Sequence, residues 1–205
     1  MSEEMVFCIS RRSLSRSGLL QGACMPMDDL HALLRHEQAF LPRSKAEVDE
    51  SWKQLIPYQL FGCGGRFLIF QRGGKVNEKR LVGRCSLGIG GHINVQDAGG
   101  RGRLEPDSLL SAAYRERNEE LEISGPVGSR TLGIINDDSD AVGRVHLGLV
   151  MLCSVEDQGQ IRLRQGQEDL LFKGWWSKEE IYSQKEIFEP WSILALELIE
   201  VCKAS

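Results

Sequence analysis

The chain has 205 residues, of which 41% are hydrophobic and 26% are charged. This is the composition of an ordinary globular protein, and the length suffices for one domain of about 150–200 residues with a substantial core. The formal net charge of −4 gives no electrostatic footprint for stable binding to a nucleic-acid backbone. We therefore expect a small molecule as the partner.

Cysteine usage and hydropathy indicate a cytoplasmic protein. The six cysteines are scattered without a CxxC pair, which argues against a zinc or redox motif and favours reduced thiols. The amino terminus begins with acidic residues and lacks the basic-then-apolar pattern of a signal peptide. The apolar runs are far shorter than the roughly 20 residues that a membrane span needs, so we expect no membrane association.

The chain divides into an amino-terminal extension, residues 1–50, and a main domain, residues 51–205. In the extension, the sequence pattern predicts a strand at residues 5–9 and a helix over residues 27–40, capped by Asp28 or Asp29. The sequence is compatible with two roles for this extension: it could cap the site, or it could form a homodimer interface.

The sequence of the main domain predicts strands that alternate with helices. A glycine-containing hairpin near residues 56–75 leads into a strand and a long glycine-rich loop. A helix then runs from a cap at Asp107 or Ser108 to about Ile123, where Gly125-Pro126 should end it. Strands near 130–135, 144–155 and 161–164 and a final helix over 189–202 follow. This order favours a mixed sheet with helices packed on its faces.

The stretch "AAYRERNEELEI", residues 112–123, carries acidic residues on its apolar face. On a helical wheel with Leu109 at zero, Glu116 falls at about 340° and Glu120 at about 20°, beside Ala113 at about 40°. An ionised carboxylate removed from water needs a compensating positive charge, and a bound cation would supply it. All-oxygen ligation points to magnesium first and manganese second. A solvated surface helix with an Arg115–Glu119 pair is the alternative.

The string "GIGGHIN", followed by an irregular loop and "AAYRERNEEL", resembles the Nudix hydrolase family, whose signature places a glycine-rich loop before a helix carrying REUXEEXGU. The segments "KQLIPYQLF" and "GIINDDSDAVGRVHLGLV" are similar to one predicted MutT-like phosphoesterase subgroup. Three positions depart from the signature: Asp107 stands for the upstream Glu, Arg117 for an aliphatic residue, and Glu122 for the glycine after the helix. The loop before the helix is also longer than the signature allows.

The resemblance implies an α/β/α sandwich of the Nudix type, with a mixed β-sheet, and a divalent-metal site. Glu116 and Glu120 would bind Mg²⁺, with Mn²⁺ as the alternative ion, and Glu119 and the carbonyl of Gly91 would add oxygens. Arg115 belongs to the charged core of the signature. Either Glu119 or Glu168 would act as the general base for an attacking water.

Three further residues are candidates for substrate binding. Gly90, together with Gly91, lacks a Cβ and would let the backbone approach a phosphate. His92 could contact phosphate or merely hydrogen-bond within its own loop. Asp138, in the acidic loop "NDDSD", could face the substrate or belong to a plain Asn/Asp-rich turn.

The resulting expectation is a Mg²⁺-dependent hydrolase that cleaves a diphosphate linkage in a nucleoside diphosphate attached to another group. The departures from the signature motivate an alternative, a catalytically weak Nudix-like module that binds nucleotides or regulates another process. Substrate identity lies in loops outside the signature, and fold does not settle it.

Overall fold

The computed structural model describes residues 3–20, 24–27, 29–73, 83–99, 102–164 and 170–204. Its strands are Met5–Ser10 (β1), Cys24–Pro26 (β2), Gln38–Pro42 (β3), Trp52–Cys63 (β4), Arg66–Arg72 (β5), Cys85–Ser86 (β6), Gly88–Gly90 (β7), Leu121–Ile123 (β8), Gly128–Ile135 (β9), His146–Ser154 (β10), Ile161–Leu163 (β11) and Leu170–Trp176 (β12). Its α-helices are Arg11–Arg16 (α1), Leu30–Leu34 (α2), Arg43–Ala46 (α3), Pro106–Glu120 (α4), Ala141–Val145 (α5), Lys178–Tyr182 (α6) and Pro190–Ala204 (α7).

One large sheet forms the centre of the molecule, in the order β12-β5-β4-β10-β9-β2. Strands β10 and β4 run parallel, whereas β10 pairs antiparallel with β9 and β4 pairs antiparallel with β5. The predicted mixed sheet is therefore confirmed. Strand β10 lies between two partners and is almost entirely buried, as its apolar sequence predicts.

Helices cover both faces of the sheet. Alternate residues of β10 point to opposite faces, and each set packs against a different helix. Leu147 and Leu149 pack in one hydrophobic cluster with Leu109 and Ala112 of α4. Val150 belongs to a second cluster that contains four buried residues of α7: Ala195, Leu196, Leu198 and Ile199. These two layers of helix confirm the α/β/α sandwich.

The hairpin between β4 and β5 turns at Gly64 and Gly65, whose φ angles are +56° and +80°. Two successive positive φ values are what a two-residue hairpin turn requires, and glycine adopts them without a steric penalty. The predicted hairpin is confirmed, and Gly62 lies within β4, ahead of the turn.

The amino-terminal extension adds strands to the same sheet. Strand β1 pairs antiparallel with both β3 and β4. The predicted helix over residues 27–40 is shorter than expected: α2 covers only Leu30–Leu34, and residues 38–42 form a strand instead. Asp29 caps α2 through the amide of Ala32, while Asp28 lies outside the described residues. A boundary at residue 50 stays a prediction.

The extension also holds the glycine-rich loop. The amide of Phe7 donates to the carbonyl of Ile93 at 2.8 Å, and the amide of Leu104 donates to Gln38 Oε1 at 2.8 Å. Arg103 donates to the carbonyl of Leu34, also at 2.8 Å. The long loop between β7 and α4 is thus anchored at both ends by segments of residues 1–50.

Within the described residues, none of the helices combines the length and the apolar character needed to cross a bilayer. The five cysteines whose side chains are described, Cys8, Cys63, Cys85, Cys153 and Cys202, are free thiols.

Candidate functional site

Helix α4 lies against the sheet with its acidic residues at the edge of the buried face. Ala112 and Ala113 are fully buried, and the side chain of Gln59 on β4 donates to the carbonyl of Ala113 at 2.7 Å. Glu116 and Glu120 are half-buried, whereas Glu119 is exposed. The helical wheel therefore predicted the orientation of these carboxylates correctly.

Gly91 and Glu116 are packed so closely that no side chain fits between them. A Cβ added to Gly91 would overlap the carboxylate of Glu116. Burial raises the pKa of Glu116 above its ordinary value, with Arg115 opposing this shift. A half-buried carboxylate beside the backbone of a glycine is a suitable place for a cation that both groups ligate.

Arg115 connects the glycine-rich loop to this helix. Its Nε and Nη2 atoms donate to the two carboxylate oxygens of Asp97 at 3.0 and 2.9 Å, and Nη2 also donates to the carbonyl of His92 at 3.0 Å. Its Nη1 atom donates to Glu116 at 2.7 Å and to Glu119 at 3.1 Å. Hydrogen bonding to Asp97 is the largest cause that raises the pKa of Arg115. Arg115 therefore positions the loop and two carboxylates at once.

Arg72 of β5 is a second cation near the helix. Its Nε atom lies 3.7 Å from Glu189 Oε2. Burial acts to lower the pKa of Arg72, but negative charges, among them those of Glu189 and Glu120, outweigh this and raise it. Glu189 also accepts hydrogen bonds from Tyr58, at 2.8 Å, and from Ser86. Burial raises the pKa of Tyr58, so its hydroxyl keeps its proton. This network secures the side of the site formed by β4, β5 and the start of α7.

The predicted substrate residue His92 has its backbone and its ring in different surroundings. Its carbonyl accepts from Arg115, as described above, while its ring lies 5.9 Å from the ring of His146 in an edge-to-face arrangement. Burial lowers the pKa of His92 to about 3, with smaller contributions from Arg43 and His146. The imidazole is therefore neutral and does not offer a positive charge to a phosphate at neutral pH.

Asp138 is held by residues of the extension and of β4. It accepts hydrogen bonds from Arg11 at both carboxylate oxygens and from the buried Lys53 at 2.5 Å. Burial raises its pKa, but the hydrogen bonds from Lys53 and Arg11 outweigh this and lower it below the ordinary value. The structure thus gives Asp138 a bridging position, and its contact with substrate stays a prediction.

The other predicted site residues differ in how the structure places them. Gly90 ends β7 opposite Tyr58 of β4, and a Cβ there would lie 3.0 Å from both Ile56 Cγ2 and the carbonyl oxygen of Pro57. Packing against β4 therefore already favours glycine at this position. Glu168 lies outside the described residues.

Comparison with known proteins identifies the fold family. No protein-family model matches the chain. Protein YmaB of Bacillus subtilis (strain 168) is 30% identical over 163 residues, which cover 77% of this chain and 76% of YmaB. The crystal structure of Tm1382, a protein ascribed to the Nudix hydrolases, covers 97% of this chain and 100% of its own, with a TM-score of 0.78 and 27% identity. The chain belongs to the Nudix hydrolase family. It is accordingly classed with the hydrolases that act on diphosphate bonds.

A third similarity concerns the fold alone. DR0079 from Deinococcus radiodurans aligns with a TM-score of 0.51 at 12% identity, over 70% of this chain and 82% of its own.

The Nudix signature residues lie on one helix and on the loop that precedes it, and two of the three departures have a structural explanation. Helix α4 ends at Glu120, and Leu121 has an extended conformation with φ −120° and ψ 147°. Glu122 therefore lies in β8, paired with Arg162 of β11, and no left-handed residue is needed there. The predicted helix end near Ile123 was wrong for this reason.

The remaining departures concern Arg117 and Asp107. Arg117 is half-buried, and its guanidinium lies 4.8 Å from the ring centroid of Tyr114, so a cation–π contact occupies the position of the usual aliphatic residue. Asp107 is exposed in the first turn of α4 and does not cap it, because the helix begins at Pro106, one residue before Asp107 and two before Ser108, the two predicted caps. We have no structural account of why Asp stands at this position.

Two residues of this Nudix site were not predicted from the sequence. Asp97 closes the turn of residues 94–99 by accepting from the amide of Asn94 at 2.9 Å, and it also binds Arg115. An Asp in a turn before glycines is too common to indicate this second role. Arg72 gave no local signal either, since its relation to α4 arises from the pairing of β5 within the sheet.

Proposed function

We propose that this Nudix hydrolase cleaves, with Mg²⁺, a diphosphate linkage in a nucleoside diphosphate attached to another group. The observation that supports this most strongly is the packing of the Gly91 backbone against the half-buried Glu116 carboxylate. This packing brings a carboxylate of the signature helix next to the glycine-rich loop. Hydrolysis of a diphosphate needs a metal ion and a phosphate group close together at such a place. A diphosphate carries several negative charges, so the reaction requires cations to neutralise it.

The donor set fits a hard divalent ion. Glu116, Glu120 and Glu119 would supply carboxylate oxygens, and Gly91 would supply its carbonyl oxygen. Mg²⁺ is proposed first and Mn²⁺ second, because every donor is an oxygen. When bound, the ion would lower the pKa of a water and stabilise the leaving phosphate.

Other residues of the chain would position this chemistry. Arg115 donates hydrogen bonds to Asp97 and to the carbonyl of His92 in the glycine-rich loop, and also to Glu116 and Glu119. It therefore fixes the loop relative to these two carboxylates. Glu119, whose side chain is 57% exposed, could take a proton from an attacking water, and Glu168 is the alternative base. Gly90, His92 and Asp138 remain the proposed substrate contacts.

Nucleotide panels test this function directly. The full-length protein should release phosphate-terminated products from at least one nucleoside diphosphate derivative with Mg²⁺ or Mn²⁺, and Glu120→Gln should lose that turnover. Exposed Glu122 provides a matched control, because Glu122→Gln changes a carboxylate of β8 and should leave turnover intact. Turnover that is unchanged in Glu120→Gln, or absent across the panel, would overturn the proposal.

The departures from the signature favour one alternative, a Nudix module that binds nucleotides or regulates without efficient turnover. This alternative rests on Asp107, because no described contact explains why Asp replaces the upstream Glu of the signature. Nucleotide-induced thermal stabilisation without product formation would support this alternative, and metal-dependent cleavage would exclude it. Homodimer formation and a cytoplasmic location stay predictions.

A further inference from the structure

A second group of ligand-type side chains lies next to the Nudix site and shares none of its carboxylates. One ligand atom from each of Glu47, His92 and His146 falls within 4.8 Å of the other two. Glu47 directly follows α3 in the extension, His92 follows Gly91 in the glycine-rich loop, and His146 begins β10. The fold thus brings together three segments that are far apart in the sequence.

The tautomer of His146 suits metal binding through its Nε2 atom. His146 Nδ1 lies 2.8 Å from the carbonyl oxygen of Val142. A carbonyl only accepts, so Nδ1 carries the hydrogen and Nε2 keeps its lone pair. Metal-binding histidines commonly donate their other ring nitrogen to a carbonyl in this way.

His92 supplies the second observation. Its Nε2 atom is buried, and within the described residues it has no hydrogen-bond partner. Buried polar atoms in folded proteins are generally satisfied, so an atom in this state needs an explanation, and an ion is one. The ring of His92 points toward His146, while its carbonyl is held by Arg115 on the Nudix helix.

Glu47 completes the set with a negative charge. Its side chain is 33% exposed, and one of its oxygens lies 3.4 Å from Arg43 Nε. Two imidazoles and one carboxylate suit Zn²⁺ and related transition-metal ions, with a fourth position left for water. This donor chemistry differs from the all-oxygen set of α4, which suits Mg²⁺.

We propose that Glu47, His92 and His146 form a site for a zinc-type divalent ion, separate from the Nudix carboxylates. Around a tetrahedral zinc ion the ligand atoms are about 3.3 Å apart, given metal–ligand distances of about 2.0–2.1 Å. Each pair of ligand atoms here would close by at most about 1.5 Å, which side-chain rotation can supply. The ion would join the extension to the glycine-rich loop and to β10.

Zinc titration of the untagged full-length protein tests this site. The chelator-treated protein is titrated with Zn²⁺ in saturating Mg²⁺, with bound zinc measured by mass spectrometry and affinity by competition with a chromophoric chelator. We expect one equivalent of zinc. Loss of an outer-shell partner alone weakens metal binding by about 10–100-fold, so Glu47→Gln and His92→Gln should each weaken it by at least about 100-fold.

Matched variants separate this site from its neighbours. His31→Gln and Glu37→Gln change exposed residues of the extension and should retain zinc. Glu116→Gln should also retain it, because Glu116 belongs to the Nudix site. Circular dichroism checks the fold, and Glu47→Gln is the variant least prone to unfolding because its side chain is partly exposed.

Two results would overturn the proposal. One is the absence of a stoichiometric zinc ion in the folded protein, which would leave the three residues as an ordinary polar cluster. The other is zinc that is lost in Glu116→Gln but kept in folded Glu47→Gln and His92→Gln, which would assign the ion to the carboxylates of α4.

Discussion

The backbone of Gly91 lies directly against the carboxylate of Glu116, with no room for a Cβ between them. Gly91 directly follows β7, and Glu116 lies on the buried side of α4. This contact is where the loop and the helix of the Nudix signature meet.

Gly91→Ala should abolish most of the activity while the protein stays folded. A methyl group at this position would push either the loop or the Glu116 carboxylate away. A misplacement of about 1 Å can cost about 100-fold in rate, so we expect a fall of that order in kcat/KM. Steady-state hydrolysis with a substrate from the nucleotide panel measures it.

Gly102→Ala is the matched control in the same loop. A Cβ at Gly102 would meet nothing within 4 Å. Its activity should match that of the parent protein, and equal losses in the two variants would show that the loop, rather than the Gly91–Glu116 contact, is sensitive.

Asp97→Asn should reduce both stability and activity. Asp97 is nearly buried, with a side chain 8% exposed, and it accepts two hydrogen bonds from Arg115. Hydrogen bonds to charged groups contribute about 1.5–3 kcal/mol, so the free energy of unfolding should fall by about 2 kcal/mol. Denaturant unfolding measures this fall. Asp107→Asn, at an exposed position in the first turn of α4, should change it by less than about 1 kcal/mol.

Activity distinguishes a positioning role of Asp97 from a purely structural one. Because Asp97 orients Arg115 and through it Glu116, its loss should lower kcat even under conditions in which the variant is fully folded. A folded Asp97→Asn protein with unchanged kcat would contradict the positioning role.

Asp138→Asn should destabilise the protein mainly through Lys53, whose side chain is fully buried. Removing one partner of a fully buried ion pair costs about 3–5 kcal/mol. The loss should be smaller here, because the Asp138 side chain is 34% exposed and Lys53 also donates to the carbonyl of Gly143 at 2.7 Å. Asp137→Asn is the control, since Asp137 accepts from the amide of Ser139 in a local turn. An Asp138→Asn variant of normal stability with a raised KM would instead identify Asp138 as a substrate contact.

The carboxylate of Asp138 should also make the stability of the protein depend on pH. The pKa of Asp138 is lower in the folded protein than its ordinary value because Lys53 and Arg11 stabilise the anion. Its contribution to stability is therefore complete above the unfolded pKa of about 4 and is lost as the pH falls through the lower folded value. Between those two values, the unfolding free energy of the parent protein should fall more steeply with decreasing pH than that of Asp138→Asn.

Local periodicity was sufficient to predict the orientation of α4 but not its end. The apolar spacing of Leu109, Ala112 and Ala113 fixed which face is buried, and with it the position of Glu116. The end at Glu120 depends on the pairing of β8 with β11, about forty residues away in the sequence, which no local pattern reveals.

The extension shows the same limit. The predicted helix over residues 27–40 includes residues 38–40, yet residues 38–42 form β3 because β1 offers an unpaired edge to them. Asp97 and Arg72 were missed because their partners arrive through tertiary packing. The position of Glu116, Glu119 and Glu120 on one helix could be predicted because their spacing of three and four residues is a local pattern.

Metal-dependent turnover of Glu116→Gln, measured beside Glu122→Gln with the same nucleotide substrate, tests the central claim most directly. Glutamine keeps the shape of the side chain and removes the charge that a divalent ion requires. We predict that Glu116→Gln stays folded, binds Mg²⁺ more weakly in calorimetry and loses at least about 100-fold in kcat/KM, while Glu122→Gln keeps its activity. Parent-like, Mg²⁺-dependent turnover in Glu116→Gln would contradict the claim.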